Sequence, residues 1–149
     1  MAKYLYEHPR PALSVDIIIF HSADNKLEVL LIQRASPPFE NQWALPGGFV
    51  EMDEDIDSAA HRELAEETGF RDIKLEQLQA YGAPDRDPRG RVVTIAYYGL
   101  ISSEEKLHPK AGSDASRARW FPVEKLPQLA FDHHDIIADA ILRVENRYP

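Results

Sequence analysis

The segment His61-Arg-Glu-Leu-Ala-Glu-Glu-Thr-Gly-Phe70 holds Glu63, Glu66 and Glu67 just before a glycine. On a helix, positions three and four apart share a face, so Glu63 neighbours both Glu66 and Glu67, at roughly 0.2–0.5 kcal/mol of repulsion per like-charge pair. Gly69 marks a helix C-terminus, where the backbone dipole is already negative and disfavours acids. An acidic, solvated helix face is the plain explanation. A bound cation is the chemical one. Carboxylates are hard oxygen ligands suited to Mg²⁺ or Mn²⁺, which keep positions open for water and phosphate oxygens. Arg62 lies four residues before Glu66 and is placed to pair with it.

Upstream, Leu45-Pro-Gly-Gly-Phe-Val-Glu-Met-Asp-Glu54 supplies a tight Gly-Gly turn and two more acids, Glu51 and Glu54. Paired glycines let backbone approach a ligand with no side chain in the way. The spacing from Gly48 through Glu54 to Arg62-Glu63-Leu64-Ala65-Glu66-Glu67-Thr68-Gly69 resembles the complete Nudix box, and similarity to Nudix hydrolases extends from about Ser14 to the last helix. The resemblance implies an α/β fold, an α/β/α sandwich with a mixed sheet. It implies hydrolysis of a nucleoside diphosphate linked to another group, with Mg²⁺ or Mn²⁺. By position it makes Glu63, Glu66 and Glu67 metal ligands, together with the Gly47 carbonyl, and has Arg62 and Glu54 brace the loop–helix junction. The general base stays open among Glu63, Glu66 and the later loop acids Glu104, Glu105 and Asp114. Chemically, metals neutralise a diphosphate and align an attacking water, so no covalent nucleophile is needed.

Arg86-Asp-Pro-Arg89-Gly-Arg91 places three arginines in a short stretch of an acidic chain. Guanidinium forks grip phosphate and ribose oxygens bidentately. A hairpin loop with Pro-Gly turn chemistry and solvated arginines explains the composition equally well. This run and Pro84 resemble Nudix proteins that act on ADP-ribose, which implies substrate contacts for Arg86, Arg89, Arg91 and Pro84. Other resemblances are to Nudix enzymes cutting oxidised dNTPs or dinucleoside polyphosphates. A further one is to regulators that sense ADP-ribose through a Nudix domain and bind DNA through an appended winged helix. Because the sequence stops soon after its last helical segment, we expect no such appendage, and the intact glutamates favour catalysis. Short ADP-ribose hydrolases of this kind imply a homodimer, with residues 1–12 reaching a neighbour.

The elements that must hold these residues follow from pattern. SVDIIIF (14–20) and LEVLLIQR (27–34) are expected to pair as a hairpin through turn-forming HSADNK. A helix is expected from Asp55, its N-cap, to Thr68. Strands are expected over 73–82, 92–101 and 118–123. A closing helix over 132–146 carries Ile136, Ile137, Ala140, Ile141 and Val144 on one face. Trp43 and Trp120 read as core. Tyr97 and Tyr98 point to opposite faces, one buried and one lining the cleft. Adjacent His133 and His134 diverge on a helix and read as structural.

The chain has 149 residues, 44% hydrophobic and 28% charged, which suits one domain, 1–149, with an arm over 1–12. A net charge of −8 disfavours extended nucleic-acid contact but allows an anionic small nucleotide bridged by a divalent cation. Without cysteine there is no disulfide, zinc thiolate site or Cys nucleophile. The start lacks an apolar signal core, and no apolar run approaches membrane-span length, so a cytoplasmic protein is expected.

Overall fold

A computed structural model describes residues 3–102, Pro109 and 115–147. The elements are β1 (Ala12–Ala23), β2 (Lys26–Arg34), β3 (Trp43–Ala44), β4 (Gly47–Phe49), α1 (Ile56–Thr68), β5 (Glu76–Tyr81), β6 (Val92–Ile101), β7 (Ala115–Pro122) and α2 (His133–Arg147).

β1 is the organising strand. Its residues Ser14 to His21 are all buried, as expected of a strand covered on both faces. Val15, Ile17 and Ile19 pack with Ala59, Ala60 and Leu64 of α1. Ile18 and Phe20 point the other way, toward Ile136, Ile137, Ala140 and Val144 of α2. This period-2 alternation is what builds two cores from one strand. Each fully buried branched side chain contributes roughly 1.5–3 kcal/mol. The layers are therefore helix, sheet, helix.

The sheet order is β3-β2-β1-β6-β5, with β4 also on β1 and β7 also on β2. β1 and β6 run parallel, from Ala12↔Val92 to His21↔Ile101. β1–β2, β1–β4, β2–β7 and β5–β6 are antiparallel. The expected hairpin forms, but its turn is only Asp24-Asn25, at φ 51° and 63°. Positive φ at both central positions matches the twist of the flanking strands, and Asp and Asn tolerate it. The 73–82 strand is shorter than expected: Ile73 and Leu75 pack into the core beside α1, and the ladder begins at Glu76.

The helix bearing the glutamates starts and stops as its sequence dictates. Asp55 is extended, and its carboxylate accepts the Ser58 N–H at 2.8 Å. Gly69 is left-handed, φ 80°, and its N–H closes on the Ala65 carbonyl at 2.9 Å. The first turn carries Asp57 and the last turn no basic residue, so the acidic end is not offset from within the helix.

Candidate active site

Gly47 and Gly48 open β4, in register with Asp16 and Val15 of β1. A Cβ on Gly48 would stand 2.5 Å from Glu63 Cδ and 2.6 Å from its Oε2. Only a glycine lets that carboxylate rest on the β4 backbone. Gly48 and Glu63, fifteen residues apart, are thereby brought into contact.

Arg62 ties the junction together. Its Nε and Nη2 donate to Glu54 at 2.9 and 2.6 Å, and Nη2 also donates to the Phe49 carbonyl at 3.1 Å. Its Nη1 lies 2.8 Å from Glu63 Oε1 and 3.2 Å from Glu66 Oε2. The Arg62 hydrogen bonds, with a second from the Glu51 N–H, hold the Glu54 carboxyl down at about 2. Glu54 in turn leads the contacts that raise the Arg62 guanidinium above its ordinary value.

One cleft collects Gly47, Gly48, Glu63 and Glu67 on one wall and Arg86 and Arg89 on another. Glu66 stands outside it. Its side chain is 54% exposed, bordering a shallow depression with His61 and Arg71. Pro84 and Arg91 do not line the cleft; the Arg91 side chain closes its own loop by donating to the Gly82 carbonyl at 2.6 Å. Leu64 is core beneath α1. Glu104, Glu105 and Asp114 lie outside the described residues. Among the described residues, no three His, Asp or Glu side chains are gathered closely enough to hold an ion as they stand. The donor chemistry nevertheless fits a hard divalent cation: the cleft wall offers carboxylate oxygens from Glu63 and Glu67, and the bare Gly47-Gly48 backbone leaves room at their side.

The arginine wall is built on two carboxylates, the half-buried Asp132 and the buried Asp87. Arg86 forks onto Asp132, Nε at 2.9 Å and Nη2 at 2.6 Å, with its side chain only 4% exposed. Burial opposes its charge, and Asp132, with Asp16 and Asp87, outweighs that, so the guanidinium value is raised. Arg89 is gripped by the buried Asp87 at 3.1 and 2.7 Å. Its guanidinium carbon sits 5.0 Å from the Phe49 ring centroid and 5.5 Å from that of Phe131, within cation–π range. Phe131 stacks edge-on against Phe39 at 4.8 Å. Both have positive φ, 53° and 59°, a conformation bulky residues rarely adopt outside constrained sites.

At the cleft floor, Asp16 accepts from Thr94 Oγ1 at 2.7 Å and faces His133 Nε2 at 3.4 Å. Burial would raise its carboxyl; His133, Thr94 and Arg86 together outweigh burial and lower it. Sequence reading passed over Asp16, Thr94, Asp132 and the cleft position of His133. One signal was present: Asp16 is the one acid of β1 and interrupts its apolar run. Both tyrosines prove buried, so neither lines the cleft. They do face opposite sides: the Tyr97 hydroxyl bonds Asp57 and Gln77, the Tyr98 hydroxyl Glu76 and Arg147. Trp43 packs on Phe121 and Trp120 on Phe70, away from the cleft.

A mixed sheet between two helices, with a braced acidic helix facing the sealed Arg86 and the partly exposed Arg89 across one cleft, defines a pyrophosphohydrolase of the α/β/α class. The NUDIX domain family matches residues 10–140. This chain belongs to the Nudix family, and it is ADP-ribose-pyrophosphatase-like within it. It is 46% identical over 140 residues to the ADP-ribose pyrophosphatase of Methanocaldococcus jannaschii, covering 93% of this chain and 78% of that one. It is 39% identical over 145 residues to the ADPR responsive transcriptional repressor NtrR of Acinetobacter baylyi, covering 95% of this chain but only 57% of the repressor. The NUDIX domain of Shewanella oneidensis NrtR, solved in complex with ADP ribose, superposes with a TM-score of 0.85 at 35% identity, covering 92% of this chain and 90% of that one. No helix among the described residues is long and apolar enough to cross a membrane.

Proposed function

We propose that this chain hydrolyses ADP-ribose to AMP and ribose 5-phosphate, with Mg²⁺ or Mn²⁺ held by Glu63, Glu67 and the Gly47 carbonyl, and by Glu66 once its side chain turns from solvent toward the same ion. The observation that carries the reading is one cleft joining a carboxylate wall, Glu63 and Glu67, to a guanidinium wall, Arg86 and Arg89. The 46% identity to a protein named ADP-ribose pyrophosphatase supports the choice of substrate.

When bound, a divalent cation supplies positive charge to the diphosphate oxygens and acidifies a water. The chain's residues do the rest. Arg86 and Arg89, fixed by Asp132 and Asp87, present preset donors to phosphate or ribose oxygens. Arg62 orients Glu63. Proton acceptance falls to Glu63, Glu66 or a loop acid, Glu104, Glu105 or Asp114. We extend the proposal to a cytoplasmic homodimer of single-domain chains, with the 1–12 arm at the partner; a monomer mass in light scattering at high concentration contradicts the dimer.

A substrate panel with Mg²⁺ tests the main claim: ADP-ribose, other nucleotide sugars, dinucleotides and dNTPs. ADP-ribose is expected to give the highest kcat/KM, with AMP and ribose 5-phosphate as products. A dNTP or dinucleotide preference contradicts it. Repeating the reaction in ¹⁸O-labelled water identifies the phosphorus attacked.

A second reading, an ADP-ribose sensor, is favoured by the likeness to the Acinetobacter repressor and to the Shewanella NrtR domain holding ADP ribose. Shewanella NrtR has also been solved with a 27mer DNA. The −8 charge of this sequence weighs against DNA contact by this domain. Calorimetric binding of ADP-ribose with no turnover in Mg²⁺ or Mn²⁺ selects the sensor.

A further inference from the structure

Three distant segments meet at the backbone that leads into Gly47. The Leu45 N–H donates to His133 Nδ1 at 3.0 Å, across 88 positions of sequence. With Nδ1 accepting, a neutral ring carries its proton on Nε2, and Nε2 faces Asp16 Oδ1 at 3.4 Å. That same Oδ1 lies 2.6 Å from where a Gly47 Cβ would stand. An Asp16 carboxylate oxygen therefore packs against the Gly47 backbone, and the missing side chain is what admits it.

The rest of the segment is held on both edges. On the β1 side, the Ile17 N–H donates to the Pro46 carbonyl at 2.8 Å. On the α2 side, the Ala130 N–H donates to the Trp43 carbonyl at 2.9 Å, and Trp43 bridges Leu129. Asp16 is itself fixed from a third strand by Thr94.

Asp16 and His133 are 8% and 3% exposed. A buried polar pair of this kind stabilises a fold no better, and often less, than apolar residues of the same volume. It does add direction, because each hydrogen bond fixes an angle that packing leaves free. The ring faces the cleft, but its nitrogens are turned to Leu45 and Asp16 and not to a ligand.

We propose that Asp16 and His133 are positioning residues, which as a linked pair clamp the two ends of the Leu45–Gly47 segment and so aim the Gly47 carbonyl toward the Glu63 and Glu67 wall. The claim rests on the metal reading given under Proposed function for its consequence, but the clamp itself is independent of any ion. His133 acts on the ion through the Leu45 peptide, as an outer partner acts on a ligand it orients.

Two variants separate this from bulk packing. H133L keeps volume and removes the acceptor. H133N places an amide oxygen near the Nδ1 position and keeps it. Amide hydrogen exchange at Leu45 is read by NMR on the metal-free protein, with β6 amides as the internal reference, and Mn²⁺ uptake is read by titration. In H133L, Leu45 exchange should accelerate about tenfold or more over β6, and the Mn²⁺ midpoint should rise about tenfold. H133N should bring both within about threefold of the unsubstituted protein. Unchanged Leu45 exchange in folded H133L overturns the clamp, as does equal loss in H133N and H133L. Faster exchange with an unmoved Mn²⁺ midpoint overturns the aiming of Gly47. Should H133L not fold, H133Q, which reaches toward Asp16 without an acceptor at the Nδ1 position, is read by the same criteria. No Mn²⁺ uptake by the unsubstituted protein sinks the metal reading instead, and Leu45 exchange still decides the clamp.

Discussion

The Glu63 carboxylate rests against the α-carbon of Gly48, so close that a single methyl group there would stand 2.6 Å from Oε2. What it would strike is the far end of a flexible side chain. Gly48→Ala is therefore expected to swing Glu63 aside at little cost in stability, while turnover falls about a hundredfold through misplacement of the site. The neighbouring Gly47→Ala differs in kind. Its Cβ would meet the Val15 carbonyl and the Asp16 α-carbon, which are backbone atoms of the central strand. Overpacking there costs roughly 1–3 kcal/mol or more. Urea midpoints and steady-state rates on both proteins check the contrast; equal loss of stability in the two contradicts it.

Glu67 is 7% exposed at the buried end of α1 and lines the cleft. Glu67→Gln removes its charge and hardly alters its volume. Turnover with Mg²⁺ should fall by about two orders of magnitude or more while the circular dichroism spectrum is unchanged. Undiminished turnover removes Glu67 from the site.

The Arg62–Glu54 fork makes a pH signature. The Glu54 carboxyl has an ordinary value of 4.5 and is held at about 2 in the folded protein. A carboxyl lowered by folding favours the folded state fully above its unfolded value, and that contribution disappears as pH falls through the folded one. The melting temperature of Glu54→Gln should thus lie below that of the unsubstituted protein at pH 7, and the gap should close between pH 4.5 and 2. A gap that is constant over this range means the fork does not act through charge.

Arg86 is sealed between Asp132 and Asp16, Nη2 at 2.6 and 3.9 Å. Arg86→Met leaves both acids without their cation, and breaking a buried pair this way costs roughly 3 kcal/mol. Adding Asp132→Asn should recover part of it, because the two residues interact and their effects are not additive. Denaturant titration of the two single variants and the double variant measures the coupling; strict additivity denies the pair.

Family, fold class and the Gly-Gly-to-helix motif could be read from the chain alone because each is written locally. A helix end needs only its Asp55 and Gly69 caps, a strand covered on both faces only the branched apolar run of Ile17 to Phe20, and the Nudix box only residues within reach of one loop and one helix. The cleft was another matter. Composition offered Arg86, Arg89 and Arg91 as equals, yet two line the cleft and Arg91 ties back to its own loop, because strand twist and loop closure set where each guanidinium goes. Helical spacing made Glu66 and Glu67 equal neighbours of Glu63, but the packing of α1 on the sheet turned one to solvent and sank the other into the cleft wall. Asp16, Thr94 and His133 meet only because β1 lies parallel to β6 and α2 begins against β3. No periodicity encodes that adjacency. It arises when the two apolar faces of β1 are covered at once, which is a condition on the whole chain and not on any stretch of it.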